Sequence, residues 1–214
     1  MKALLEKYLE LIEEENKKHN LVSRKTTREE LWDHIEDSLS LVKVLENEEV
    51  SVIDIGSGQG LPAIPLAIRL PKSKFVLVES DLKKYDFLSM AIEQLHLQNS
   101  LVIRDRIEEL GRKNEFRNTV DLVTVRAVAS LSVVLEWGLP LLRLGGQVIA
   151  WKGPGIDLEL ENCKGALNIL GGIVRSVEKY EVNGKTRFLV KVEKIEYCSD
   201  RYPRRGGLAK KRPL

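Results

Sequence analysis

The residues best placed to do chemistry run Val50-Ser51-Val52-Ile53-Asp54-Ile55-Gly56-Ser57-Gly58-Gln59-Gly60-Leu61-Pro62. A β-branched apolar run ends in an acid, three glycines follow at every second position, and an apolar helical pattern begins. This reads as a strand, a tight turn and a helix start, where backbone N–H groups can lie against a nucleotide-like ligand. A dinucleotide fingerprint has glycine at its first, third and sixth positions. Here those are Gly56, Gly58 and Leu61, and the third glycine arrives one residue early, at Gly60. A Gly-x-Gly-x-Gly loop closed by a bulky residue fits a nicotinamide dehydrogenase poorly and an S-adenosylmethionine (SAM) methyltransferase well.

Later strand ends extend the constellation. Glu79 stands about 20 residues past the loop, where a carboxylate accepts from both ribose hydroxyls; the alternative is a solvated strand-end acid. Ile107 and Glu108 follow the third strand, at a position that borders adenine in a SAM enzyme. Ile107 would pack on the ring and Glu108 or a backbone N–H would pair with its edge, unless this is a plain helix start. Arg126 ends the fourth strand, either as an orienting cation or as one half of a salt bridge. That strand end lacks the Asn/Asp-Pro-Pro-Tyr/Phe of exocyclic-amine methyltransferases and the nucleophilic cysteine of C5 methyltransferases. Cys163 and Cys198 have no metal or redox spacing, so they read as structural, with no metal and a reducing cytoplasm expected.

The elements that must position these residues follow from periodicity. Residues 1–18 and 28–46 each carry a helical apolar stripe, through Leu4, Leu5, Tyr8, Leu11 and Ile12, then Leu31, Ile35, Leu39, Val42 and Leu45. They precede the first strand and are expected to cap the sheet. Strands at 50–55, 74–79, 101–103, 120–125 and 146–152 alternate with helices at 61–70, 82–95, 107–110, 131–142 and 157–170. A hairpin then turns at Asn183-Gly184 between 172–182 and 185–195. Repeated β-α units predict an α/β fold, a mostly parallel Rossmann-like sheet of seven strands. The division is an N-terminal helical cap over 1–48, a SAM-binding core over 49–198 and a basic tail over 199–214.

Charge is uneven. The chain carries a net +2, yet residues 201–214 hold six cations and no acid, which leaves −4 on residues 1–200. A basic tail on an acidic body suits an anionic partner or a disordered, solubilising end. No apolar run approaches the roughly 20 residues of a membrane span, and the acid-bearing amphipathic start is not a signal peptide.

Together these residues resemble the bacterial 16S rRNA guanine-N7 methyltransferases, the RsmG (GidB) family, over essentially the whole chain. The similar segments are Asn16-Lys17-Lys18-His19-Asn20-Leu21, His34-Ile35-Glu36-Asp37-Ser38-Leu39, the Asp54–Pro62 loop, Glu79-Ser80, Arg126-Ala127-Val128-Ala129, Lys152-Gly153, Tyr202-Pro203-Arg204-Arg205 and Lys211-Arg212-Pro213-Leu214. Ala63 departs from the family's usual Gly. The resemblance implies a class I SAM methyltransferase with cofactor contacts at Gly56, Gly58, Gly60, Leu61, Glu79, Ile107, Glu108 and Arg126. It implies methyl transfer to N7 of a guanine near the decoding site, in 16S rRNA or the small subunit, by a monomer. Arg126 and His34 are the catalytic candidates, with His34 stacking on a base or donating to a phosphate. His34, Lys152, Arg201, Tyr202, Arg204, Arg205, Lys210, Lys211 and Arg212 are the expected RNA contacts, and the tail is expected to serve RNA while sparing the cofactor. A non-catalytic SAM-binding assembly factor and a small-molecule methyltransferase are the alternatives.

Overall fold

Seven strands, β1 (Ser51–Ile55), β2 (Lys74–Glu79), β3 (Ser100–Arg104), β4 (Val120–Arg126), β5 (Leu142–Lys152), β6 (Gly172–Val182) and β7 (Lys185–Lys194), form one sheet. Its order is β3-β2-β1-β4-β5-β7-β6. The first five strands run parallel, and β7 is antiparallel to both neighbours. This computed structural model describes residues 1–18, 21–23 and 25–214; His19 and Asn20 of the first motif lie outside the described residues.

The two sheet faces separate by alternation of side chains along each strand. Val52, Leu77, Leu122 and Ile149 face one core. Ile53, Val78, Val123 and Val148 face the other. The first core lies under α1 (Lys2–Lys18), α2 (Arg28–Leu39), α3 (Ala63–Arg69) and α4 (Leu82–Gln94), so the N-terminal helices do cap the sheet. The second lies under α5 (Ile107–Leu110), α6 (Leu131–Gly138), α7 (Ile156–Asn162), α8 (Lys164–Leu170) and the C-terminal segment ending in α9 (Leu208–Lys211). Helix α2 begins at a reciprocal cap: Glu30 N–H donates to Thr27 Oγ1, and Thr27 N–H donates to the Glu30 carboxylate.

Three boundaries differ from expectation. The second N-terminal helix gives way to a 3-10 turn at Ser40–Val44. Helix α6 stops at Gly138 rather than Leu142, and β5 starts four residues early. Pro140 has no N–H for the Glu136 carbonyl, so the helix ends before it, and Gly138 packs where a Cβ would lie 3.0 Å from Val148 Cγ2. The helix expected over 157–170 is two, meeting at Cys163. Both cysteines are buried and burial pushes both thiols up, in keeping with their structural reading.

Candidate active site

The parallel strands meet their order reversal between β1 and β4, and the candidate residues converge at the carboxyl ends there. The glycine loop leaves β1 with Gly58 at φ +59°, a left-handed conformation that a side chain resists. At Gly60 a Cβ would lie 2.5 Å from Ile64 Cδ1. That glycine lets the loop close onto α3. Leu61 is 5% exposed and packs into the core, so it is its backbone that can face a ligand.

Glu79 holds the loop and the next helix together. Its Oε2 accepts from Gly58 N–H at 3.0 Å, and its Oε1 from Ser80 and Asp81 N–H at 2.7 and 2.8 Å. A carboxylate has about four acceptor positions, so room remains for a ribose hydroxyl on Oε2. Beneath the loop lies Asp54, 1% exposed. Its Oδ1 accepts from Thr124 Oγ1 at 2.6 Å, while Oδ2 is buried without a partner. Burial outweighs that hydrogen bond and pushes the carboxyl up to about 6. From the N-terminal cap, fully buried Tyr8 donates its hydroxyl to the Gln59 carbonyl at 2.6 Å, and burial raises that phenol far above its ordinary range.

Two clefts open on this edge. One, of about 190 Å³, is lined by Ile55, Gly56, Glu79, Ile107, Glu108 and Trp137, with Gly207 and Lys210 of the C-terminal segment. The other, of about 480 Å³, is lined by His34, Gln59, Arg126, Trp151, Lys152 and Arg187. Arg126 is held there by Asp37: Nη1 donates to Asp37 Oδ2 at 2.9 Å and to the His34 carbonyl at 3.3 Å. Asp37 Oδ1 accepts from the Tyr180 hydroxyl at 2.6 Å, and its carbonyl accepts from Trp151 Nε1 at 2.8 Å. The salt-bridge reading of Arg126 therefore holds alongside its place in the cleft. Asp37 stood in a quoted motif without a role; its one signal was its place three residues after His34.

His34 is half-buried on the same cleft. Burial first, then the Arg126 charge, holds its imidazole below the ordinary value, so it serves neutral pH as an uncharged ring. Lys152 lines this cleft as well. Its Nζ donates to Glu159 at 2.7 Å and to the Ala129 carbonyl at 2.9 Å. Glu159 also accepts from Leu131 N–H at 2.7 Å, capping α6, where Ser130 supplies no side-chain cap. Lys152 is built into this joint and keeps one ammonium hydrogen beyond these two bonds.

The C-terminal segment also departs from expectation. Tyr202 is 4% exposed, so its ring is packed into the core and unavailable to stack on a base. Arg204 pairs with the fully buried Glu136 through its backbone N–H, Nε and Nη2 at 2.8, 2.9 and 2.5 Å. Arg117 donates to the Tyr202, Cys198 and Ser199 carbonyls. Arg201, Arg205, Lys210, Lys211 and Arg212 remain exposed. The segment is a folded part of the molecule, and it reaches the cleft around Glu108.

The family model of the rRNA small subunit methyltransferase G matches residues 1–190. The chain belongs to this family. It is 48% identical over 208 residues to the ribosomal RNA small subunit methyltransferase G of Syntrophomonas wolfei, covering 97% of both chains. With that of Carboxydothermus hydrogenoformans it shares 39% identity over 99% of this chain and 91% of the other. Among solved structures, a SAM-dependent methyltransferase from Aquifex aeolicus shares the fold at a TM-score of 0.56 and 19% identity, over 76% of this chain and 92% of that one. The chain is thus a SAM-dependent methyltransferase with the Rossmann-like architecture expected of it. The residues present fit that cofactor. The smaller cleft offers an apolar wall at Ile107, Glu79 keeps an acceptor position, and the unpartnered Asp54 oxygen lies below the loop.

Proposed function

We propose that this methyltransferase transfers a methyl group from SAM to N7 of a guanine in 16S rRNA near the decoding site. The names of its relatives, small-subunit ribosomal RNA methyltransferases, support the substrate. The observation that carries the choice of atom is the condition of the acids in the larger cleft. Asp37 is tied to Arg126 and Tyr180, and Glu159 to Lys152 and the α6 terminus. Both carboxylates are engaged by hydrogen-bond donors, which leaves the neutral His34 imidazole as a cleft group able to accept a proton. Guanine N7 asks for no base: it presents an in-plane lone pair and carries no hydrogen, so no proton has to leave before or after attack.

SAM supplies a methyl group on a sulfonium sulfur. The chain's task is to hold N7, the methyl carbon and sulfur in line, and such positioning supplies roughly 7–11 kcal/mol of a barrier. Gly56, Glu79, Ile107 and Glu108 bind the adenosine part. Arg126, with one nitrogen engaged by Asp37, keeps its remaining N–H groups for guanine O6 or the cofactor carboxylate, and guanine edges are a common arginine target. Neutral His34 offers a flat face to the base. The product guanine is cationic, and a guanidinium beside it favours release.

The test is transfer of tritiated methyl from SAM to 16S rRNA and to 30S subunits lacking the modification, with the labelled base mapped. Label at a single guanine N7 is expected. Transfer to another atom, or none to either substrate, would sink the reading. Arg126→Lys, assayed for the KM of each substrate, separates a guanine contact from a cofactor contact.

A further inference from the structure

The smaller cleft has a wall drawn from the C-terminal segment, which the resemblance assigned to RNA and expected to spare the cofactor. Gly207 and Lys210 line it together with Glu79. Gly207 N–H donates to Glu108 Oε1 at 2.9 Å, and Lys210 Nζ stands 5.3 Å from the centroid of the Trp137 ring, itself part of the lining. Upstream the segment is rooted firmly: Tyr202 is buried, Arg204 is paired to Glu136, and Arg112 donates to the Pro203 carbonyl at 3.0 Å. Beyond Gly206 the hold on the body comprises the Gly207 bond, the Lys210–Trp137 contact, the burial of Ala209, an Arg204 bond to the Arg212 carbonyl, and the packing of Leu214 against the second core.

We propose that Gly207–Lys210 is a cofactor-retaining wall, closing the adenosine end of the SAM site through Glu108 and Trp137. This rests on the reading of that cleft as the cofactor site. Glu108 is the shared element. Its Oε1 is spent on the Gly207 amide, which orients the carboxylate and leaves Oε2 for a ligand. Lys210 covers the Trp137 face at the rim and keeps water from it. Without the wall, the ligand's purine end would be open to solvent along one side, and dissociation would quicken.

The test uses S-adenosylhomocysteine and titration calorimetry on the full chain, on Lys210→Ala and on a chain ending at Gly206. The shortened chain retains Tyr202, Pro203 and the Arg204–Glu136 pair. Its Kd is expected to rise at least tenfold and that of Lys210→Ala severalfold, with the ligand-free melting temperature of Lys210→Ala unchanged. Hydrogen exchange on the full chain should show the 207–210 amides slowed by S-adenosylhomocysteine, a readout that survives if the shortened chain fails to fold. Wild-type affinity in Lys210→Ala together with ligand-independent exchange overturns the wall. Failure of the full chain to bind S-adenosylhomocysteine overturns the assignment of the cleft itself.

Discussion

At the scale of single residues, the site is governed by which charges are buried and who holds them. Arg126 lowers the His34 pKa through its charge, after burial. Arg126→Gln should therefore raise the His34 pKa, measured from the Cε1 proton shift in an NMR titration; an unmoved midpoint would separate the two groups electrostatically. Asp54 gives a second, oppositely signed case. Its folded-state carboxyl titrates at about 6, above the roughly 3.9 of an unfolded aspartate. Between these values the folded chain keeps a proton that the unfolded chain releases, so stability falls as pH rises through the window. Melting curves from pH 4 to 7 should show wild type losing ground to Asp54→Asn over that range; parallel profiles would refute it. Much at this scale could be read in the chain itself. Glu79 and Arg126 could be singled out because strand ends are predictable positions. Asp37 was passed over because its partners Arg126 and Tyr180 lie 89 and 143 residues away, and no local pattern announces a contact of that span.

At the scale of elements, the N-terminal helices do more than cover apolar surface. Helix α1 inserts Tyr8 under the glycine loop, and α2 brings His34 and Asp37 to the end of β4. Tyr8→Phe deletes the hydroxyl that satisfies the Gln59 carbonyl, at a cost of about 1–3 kcal/mol for the acceptor left unpaired. Urea unfolding should register that loss, and S-adenosylhomocysteine affinity should fall with it because the loop loses its support. Unaltered stability and affinity would show that α1 is only a cover. The strands were legible because alternation and glycine-bounded turns mark them. The α6–β5 boundary was not: Leu139-Pro140-Leu141-Leu142 is a continuous apolar run, in which helical and strand periods look alike. What separated them was Pro140, which cannot donate to the Glu136 carbonyl, together with the close packing of Gly138, where a Cβ would lie 3.0 Å from Val148 Cγ2.

At the scale of the whole molecule, the C-terminal segment changed meaning most. Its charge suggested a solvated arm, yet its cations divide into those bound to the body and those facing out. Composition cannot make that division, because Glu136, the partner of Arg204, sits 68 residues upstream. Arg204→Ala should strand a buried carboxylate and destabilise the chain by about 3–5 kcal/mol. Replacing both partners, as Arg204→Met with Glu136→Leu, should recover much of that loss in urea unfolding. Equal stability of Arg204→Ala and wild type would mean the pair is ornamental.

The docking of this segment also bears on timing. The glycine loop and Glu79 come early in the sequence, whereas Gly207 and Lys210, which line the same cleft, are made long after them. A nascent chain has its sheet's central strands well before it has this wall. Synthesis from the N-terminus therefore lays down the loop before its wall, and a molecule stalled short of Gly207 would carry the loop without its enclosure.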